Sequence, residues 1–250
     1  MMLKNGLNLI RNYSINFDIA ERNNKNINFV IIHYTGMKSE KAAIKRLCNS
    51  KSKVSSHYFI KKNGQIINLV PDNYIAWHAG KSRWKKKSSL NKNSIGIEIQ
   101  NPGHSFNYLN FSEKQIFALK KLLKFLMKKY KILKKNILGH SDIAPERKKD
   151  PGEKFPWKKL AQKELSFWHN LDQKKIKKYR NIKLYSKIEK NLFLKNLNKI
   201  GYNNIKGLRP NKSDEYLTKA FQRRFRQDLV NGVFDLECLL ISKNILSRKI

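Results

Sequence analysis

Two histidines and one aspartate could together hold a metal ion, although they lie far apart in the 250-residue chain. His33 ends an apolar stretch, His140 stands in Leu-Gly-His-Ser-Asp, and Asp150 stands in Lys-Lys-Asp-Pro-Gly. Two imidazoles and one carboxylate suit Zn²⁺, and three protein ligands leave a fourth position for water. Zinc lowers the pKa of such a water, which becomes a nucleophile near neutral pH. The residue types suit a hydrolytic zinc site, but spacing of this kind is weak evidence, and on composition alone ordinary structural histidines are the favoured interpretation.

The strands that would position these residues are predicted from local patterns. Residues 28–33 contain a continuous apolar, β-branched run, which predicts a buried strand ending at His33. Asn63-Gly64 is a strong hairpin signal. Further short strands are predicted on both sides of that signal and beyond it, at residues 57–61, 65–70, 94–99 and 136–140.

Two helices are predicted among these strands. Ser39 can cap a short helix that runs to about Cys48. A longer helix begins after Ser112, because residues 112–115 form a capping box and apolar residues follow at helical spacing. Since strands, helices and a hairpin are mixed along the chain, we predict a mixed β-sheet flanked by helices.

The pattern changes after Trp157. Residues 160–186 are polar, rich in lysine and without glycine, which predicts helical linkage. Three short amphipathic segments follow at residues 187–200, 214–226 and 235–240, separated by Gly201-Tyr202 and Asn231-Gly232. They predict a small all-α module after the sheet.

The charge is strongly positive, because 54 Lys and Arg outnumber 18 Asp and Glu and give a formal net charge of +36. Nucleic acid, anionic lipid and acidic cell-wall polymers would all be attracted by such a charge. The lysine pairs are scattered along the chain, which favours a solvated surface over one specific patch. No helix-turn-helix, zinc-finger or RNA-binding aromatic motif is present, so no specific nucleic-acid partner is expected.

The sequence also limits the expected compartment. No stretch approaches the roughly 18 uncharged apolar residues that cross a bilayer, and polar residues interrupt residues 1–20, where no secretory signal is recognisable. Cys48 and Cys238 lie far apart, which argues against a disulfide framework. The cytoplasm is the expected location, with the periplasm or cell envelope as the alternative.

Five local sequences carry a family resemblance: IIHYTG (31–36), SSHYFI (55–60), LVPDNYIAWHAG (69–80), NSIGIEIQNPG (93–103) and GHSDIAPERKKDPGEKFPW (139–157). In this order they resemble the zinc-dependent N-acetylmuramoyl-L-alanine amidases of the type-2 amidase and peptidoglycan-recognition superfamily, especially the branch that accepts 1,6-anhydro-muropeptides. The resemblance implies the α+β type-2 amidase fold. It also implies hydrolysis of the amide between N-acetylmuramic acid, including its 1,6-anhydro form, and L-alanine of the peptidoglycan stem peptide. A non-catalytic peptidoglycan-binding protein is the alternative.

The resemblance assigns roles to five residues. One Zn²⁺ per chain is expected on His33, His140 and Asp150. Glu98 matches the family glutamate that takes a proton from the zinc-bound water and passes it to the leaving amine. Lys148 matches the lysine that stabilises the negative oxygen of the tetrahedral intermediate. The alternatives are a solvent-facing strand glutamate and an ordinary surface lysine.

Three further residues are predicted to contact substrate. Trp77 and His78, in AWHAG, would form the substrate-side wall, with a core Trp–His pair as the alternative. His57 would line the cleft, with a structural histidine as the alternative. Some phage members carry a catalytic tyrosine directly before this histidine, where this chain has Ser56, so that role would fall to Glu98. His104 and His169 lie outside the motifs and are expected at the surface.

The C-terminal part resembles a three-helix peptidoglycan-binding domain, in residues 197–202, 220–225 and 231–235. We therefore expect an N-terminal extension, a zinc amidase domain, a helical linker and a peptidoglycan-binding-like helical domain, at residues 1–27, 28–160, 161–186 and 187–250. The expected partner is peptidoglycan or a soluble anhydro-muropeptide. A monomer without a transmembrane segment is expected.

Overall fold

The computed structural model describes residues 2–3, 7–183 and 186–248. Its strands are, in chain order, β1 (Met2–Leu3), β2 (Leu7–Arg11), β3 (Phe17–Asp18), β4 (Phe29–Tyr34), β5 (Tyr58–Ile60), β6 (Ile66–Asn68), β7 (Ile75–Ala76), β8 (Arg83–Trp84), β9 (Lys87–Ser88), β10 (Ser94–Ile99) and β11 (Ile137–Gly139). Its α-helices are α1 (Glu40–Cys48), α2 (Glu113–Tyr130), α3 (His140–Ile143), α4 (Trp157–Ala161), α5 (Gln173–Ile176), α6 (Lys187–Ile200), α7 (Pro210–Phe225) and α8 (Leu236–Ser247).

A seven-stranded mixed sheet forms the centre of the fold, with its strands in the order β1–β2–β6–β5–β10–β4–β11. The neighbours β5, β10, β4 and β11 run parallel. β5 and β6 form the antiparallel hairpin that Asn63-Gly64 predicts. A separate two-stranded ladder joins β3 to β7. The predicted mixed sheet is confirmed.

Helices cover both faces of this sheet. Because neighbouring strand residues point to opposite faces, Phe59 of β5 packs with Ala43 and Leu47 of α1, while Tyr58 and Ile60 join the core beneath α2. The predicted capping box starts α2: the Ser112 hydroxyl accepts from the backbone N–H of Gln115 at 3.2 Å, and the Gln115 side chain accepts from the backbone N–H of Ser112 at 3.0 Å.

Two predicted elements differ in the structure. His140 begins α3 and does not end the preceding strand, because the carboxylate of Asp142 accepts a hydrogen bond from the backbone N–H of Gly139 and turns the chain into a helix. Residues 161–186 are less helical than the predicted helical linkage: the described part holds only the end of α4, the short α5 and one 3₁₀ turn. Leu165, Phe167 and Trp168 are buried there, and these apolar side chains pull the segment onto the core.

Of the three C-terminal helices, α6 has the predicted bounds, whereas α7 and α8 are longer than the segments predicted for them. α7 begins at Pro210, a residue favoured in the first turn of a helix. α8 begins after Asp235, whose side chain accepts from the backbone N–H of Cys238, and continues to Ser247. Their apolar side chains, including Phe193, Leu197 and Phe221, belong to the same buried cluster as the sheet. Among the described residues, no helix is long and apolar enough to cross a membrane.

Candidate metal centre and cleft

The sheet brings the predicted catalytic residues to one edge. Glu98 of β10 lies directly beside His33 of β4 in the parallel register. β11 runs along the other side of β4 and is followed immediately by His140. Because parallel strands end at the same edge, residues distant in sequence meet there, and the loop after α3 adds Asp150.

Three donor atoms form a small triangle at this edge. Nδ1 of His33 lies 2.9 Å from Nδ1 of His140 and 3.0 Å from Oδ2 of Asp150. The third side, from Nδ1 of His140 to Oδ2 of Asp150, is 3.1 Å. Ligand bonds of about 2.0 Å in a tetrahedral zinc site separate the ligand atoms by about 3.3 Å. The residues present therefore fit one zinc ion after moving apart by a few tenths of an ångström.

The protonation states also suit metal binding. Burial, and then the neighbouring His140, lower the pKa of His33 to about 4, so its imidazole is neutral at pH 7. Burial alone would raise the pKa of Asp150, but its close contacts with the two histidine rings, His140 first, outweigh burial and hold that pKa well below its usual range. A neutral imidazole and an ionised carboxylate are the forms that ligate metals.

A chain of hydrogen bonds fixes which nitrogen His33 presents. The Ser94 hydroxyl donates to the carbonyl of Leu90 at 2.6 Å, so its oxygen accepts from Nε2 of His78 at 3.2 Å. Nδ1 of His78 is then an acceptor and receives the Nε2 proton of His33 at 3.1 Å. This leaves the lone pair on Nδ1 of His33 pointing into the triangle.

His140 is oriented in a similar way by a backbone carbonyl. Its Nε2 lies 3.1 Å from the carbonyl oxygen of Ala79. The Arg147 guanidinium donates to the same oxygen and to the carbonyl of Lys81, which holds this loop in place. Sequence reasoning missed Arg147, whose position in a run of basic residues carried no signal.

Glu98 faces the cleft beside the triangle. Its Oε2 is enclosed and has no hydrogen-bond partner within the described residues. Burial, and then the charge of Asp150, raise its pKa to about 8 against the opposing charge of Lys148. A carboxyl group with a pKa near the working pH can both accept and donate a proton. The solvent-facing alternative does not fit this placement.

The cleft around the triangle has a volume of about 530 Å³. Trp77, His78, Glu98, Lys148 and the three predicted ligands all line it. The Trp77 ring is held by a 2.8 Å hydrogen bond from its Nε1 to Asp18. His78 is 9% exposed and uses both ring nitrogens in the hydrogen-bond chain, so it supports His33 in addition to forming part of the wall.

His57 is placed differently from the prediction. Its ring is 0% exposed and is not among the residues that line the cleft. Its Nδ1 accepts from the backbone N–H of Gly96 at 3.0 Å, and its Nε2 lies 3.1 Å from the carbonyl of Tyr74. The correction follows from this enclosure: His57 ties β10 to a neighbouring loop and has no surface with which to contact substrate.

Two histidines expected at the surface are also placed elsewhere. His104 lines the cleft, where its Nδ1 lies 2.8 Å from the Tyr34 hydroxyl and its Nε2 lies 3.1 Å from Glu153. His169 is buried beside the Trp168 ring. Tyr34 directly follows His33 in IIHYTG, and this position could have identified it as a residue that lines the cleft. Nothing in the sequence around His104 predicts that it lines the cleft.

Comparison with known proteins gives consistent matches. Residues 23–153 match the family model for N-acetylmuramoyl-L-alanine amidase. Over 235 residues the chain is 34% identical to the N-acetylmuramoyl-L-alanine amidase AmiD of Escherichia coli (strain K12), covering 89% of this chain and 83% of that protein. Over 108 residues it is 42% identical to the 1,6-anhydro-N-acetylmuramyl-L-alanine amidase AmpD of Haemophilus influenzae, covering 43% and 56% of the two chains.

Two solved structures match nearly the whole chain. The complex of E. coli AmiD with anhydro-N-acetylmuramic acid-L-Ala-D-gamma-Glu-L-Lys superposes with a TM-score of 0.76 at 33% identity, covering 92% of this chain and 91% of that one. AmpDH3 of Pseudomonas aeruginosa in complex with anhydromuramic pentapeptide gives a TM-score of 0.76 at 31% identity, covering 90% and 92%. The similarity extends over the sheet and the C-terminal helices.

Proposed function

Because the chain belongs to the N-acetylmuramoyl-L-alanine amidase family, a family of amide-bond hydrolases, we propose that it is a zinc-dependent enzyme which releases the stem peptide from N-acetylmuramic acid. The bond cleaved is the amide between the lactyl group of the sugar and L-alanine. The observation that carries the proposal is the convergence of His33, His140 and Asp150 beside Glu98 in one cleft.

Each residue has a separate task in this reaction. His33, His140 and Asp150 would hold the zinc ion, which would supply a Lewis acid and lower the pKa of the attacking water. Glu98 accepts the proton of the attacking water and donates it to the amine of L-alanine as that amine leaves. Lys148 lines the cleft and places a positive charge near the oxygen that becomes negative in the transition state.

We propose a muropeptide as the substrate, with the 1,6-anhydro form accepted, in cell-wall turnover or recycling. Two observations support this class of substrate. Arg46, Arg147 and Lys149 line the same cleft, and their charges attract the acidic stem peptide. The related AmiD and AmpDH3 structures hold anhydromuramic peptides. We further propose one zinc ion per monomeric chain.

The test uses intact sacculi and a purified anhydro-muropeptide, each incubated with the protein in the presence and absence of a chelator. Mass spectrometry of the products should detect free stem peptide beginning at L-alanine, and the chelator should abolish it. Glu98→Gln should retain zinc and lose turnover. Intact substrate in every tube, with zinc measured on the protein, would favour the non-catalytic peptidoglycan-binding alternative.

A further inference from the structure

A buried ion pair joins the C-terminal helices to the segment that carries two of the three proposed zinc ligands. Arg224 of α7 donates to Oδ2 of Asp142 at 2.7 Å and to the carbonyl of Ile137 at 2.9 Å. Tyr202, which follows α6, donates its hydroxyl to Oδ1 of Asp142 at 2.7 Å. The Asp142 and Arg224 side chains are 1% and 4% exposed.

Asp142 in turn holds the turn that presents His140. Its Oδ2 accepts from the backbone N–H of Gly139 at 2.8 Å, directly before His140. The next residue, Ser141, donates its backbone N–H to the carbonyl of Asp150 at 2.8 Å. The segment that starts at β11 therefore links both ligands to Asp142 through short backbone contacts.

Neither Arg224 nor Tyr202 lines the cleft, and neither forms a hydrogen bond with a proposed ligand in the described part of the chain. Arg224 also stacks on Trp157, with its guanidinium carbon 4.2 Å from the ring centroid, which fixes the guanidinium over that ring. We propose that Arg224 and Tyr202 are positioning residues: through Asp142, the C-terminal helices hold His140 and Asp150 in the geometry that binds zinc. The proposal rests on the proposed zinc ligation, and it gives the helical module a role independent of any contact with peptidoglycan.

The physical reason is the cost of leaving Asp142 without its partners. A buried carboxylate that loses its cation is strongly destabilised, so it shifts away from its present position toward water. That shift weakens the hydrogen bond from the backbone N–H of Gly139, and the turn before His140 becomes looser. Losing a group that orients a metal ligand typically lowers metal affinity by about 10- to 100-fold.

The experiment measures zinc affinity of the full-length chain by competition with a chromogenic chelator, without substrate. Arg224→Met should weaken zinc binding by roughly 10- to 100-fold. Tyr202→Phe keeps the ring that packs edge-on against Trp84 and removes one hydrogen bond, so it should fold and weaken zinc binding by roughly 3- to 10-fold. Unchanged affinity in both variants would overturn the proposal. Zinc binding by the unaltered chain, measured first, tests the proposed zinc function separately.

Arg226→Met is the matched control. Arg226 lies two residues beyond Arg224, is 1% exposed, and pairs with Asp235 inside the helical module. Its replacement should disturb the module but leave zinc affinity within about twofold of the unaltered chain. An equal loss of zinc affinity in both arginine variants would mean general destabilisation and would overturn the proposal. Amide hydrogen exchange of residues 139–144 should accelerate in Arg224→Met and stay unchanged in Arg226→Met.

Discussion

His33 and His78 meet edge-on, with Nε2 of His33 3.1 Å from Nδ1 of His78 and an angle of 80° between the rings. Gly96 makes this approach possible, because a Cβ atom at that position would lie 2.4 Å from Cγ of His78. Gly96 lies two residues before Glu98 and on the same face of β10. The His78 ring can pack beside His33 only because this position has no side chain.

We predict that His78→Ala weakens zinc binding by about 10- to 100-fold, since the neutral His33 ring loses the acceptor that fixes its tautomer. Chelator competition on the full chain measures this change. His104→Ala, which alters the cleft without touching a proposed ligand in the described structure, is the control and should keep normal zinc affinity. Normal zinc affinity in His78→Ala would show that His78 does not support His33 and serves only as part of the cleft wall.

We predict that Glu98 costs the metal-free protein stability at high pH. Its folded-state pKa is raised from 4.5 to about 8, chiefly by burial, so the folded protein binds this proton more tightly than the unfolded chain between those pH values. Its contribution to stability is therefore present at low pH and is lost as the pH rises through 8.

Glu98→Gln removes this titration. The free energy of unfolding of the variant, relative to the unaltered chain, should increase by a few kcal/mol between pH 5 and pH 9. Urea unfolding of both metal-free proteins across this range measures the difference, and comparing the two cancels the other titrating groups. A difference that does not change with pH would show that Glu98 is ordinarily solvated.

We predict that Lys148→Met lowers kcat by roughly 10²- to 10³-fold with zinc retained, as expected when a group that stabilises an oxyanion is lost. Lys149→Met is the matched comparison: Lys149 is the next residue, is more exposed and is proposed only to attract the acidic substrate, so its loss should raise KM and leave kcat nearly unchanged. Steady-state kinetics on an anhydro-muropeptide separate the two. Equal losses in both variants would point to general attraction of the acidic substrate.

We predict that Asp18→Ala raises KM by roughly 3- to 10-fold with little change in kcat, because Trp77 loses the hydrogen bond that orients its ring on the cleft wall. Glu21→Ala is the control. Glu21 lies in the same N-terminal segment and accepts from Asn73, away from the cleft. A fall in kcat with unchanged KM would argue against a wall role for Trp77.

Local sequence patterns were sufficient to predict many of the strands, helices and turns of the fold. The apolar run before His33, the Asn63-Gly64 turn and the capping box at Ser112 each depend on neighbouring residues, and each forms as predicted. The segment after Trp157 was less predictable, because its composition is polar on average and yet Phe167 and Trp168 are buried. Their burial depends on contacts with elements that are distant in sequence.

The sequence by itself determined the kinds of groups at the site: two histidines and an aspartate of metal-binding type, and a glutamate on a strand beside them. Only the tertiary structure decided which other histidines serve that site. His78 supports a proposed ligand, His57 is enclosed and His104 enters the cleft. It also brought Arg224 to Asp142, 82 residues away in the chain. The physical reason is that tautomers, burial and ion pairs depend on contacts between residues far apart in sequence, which no local pattern encodes.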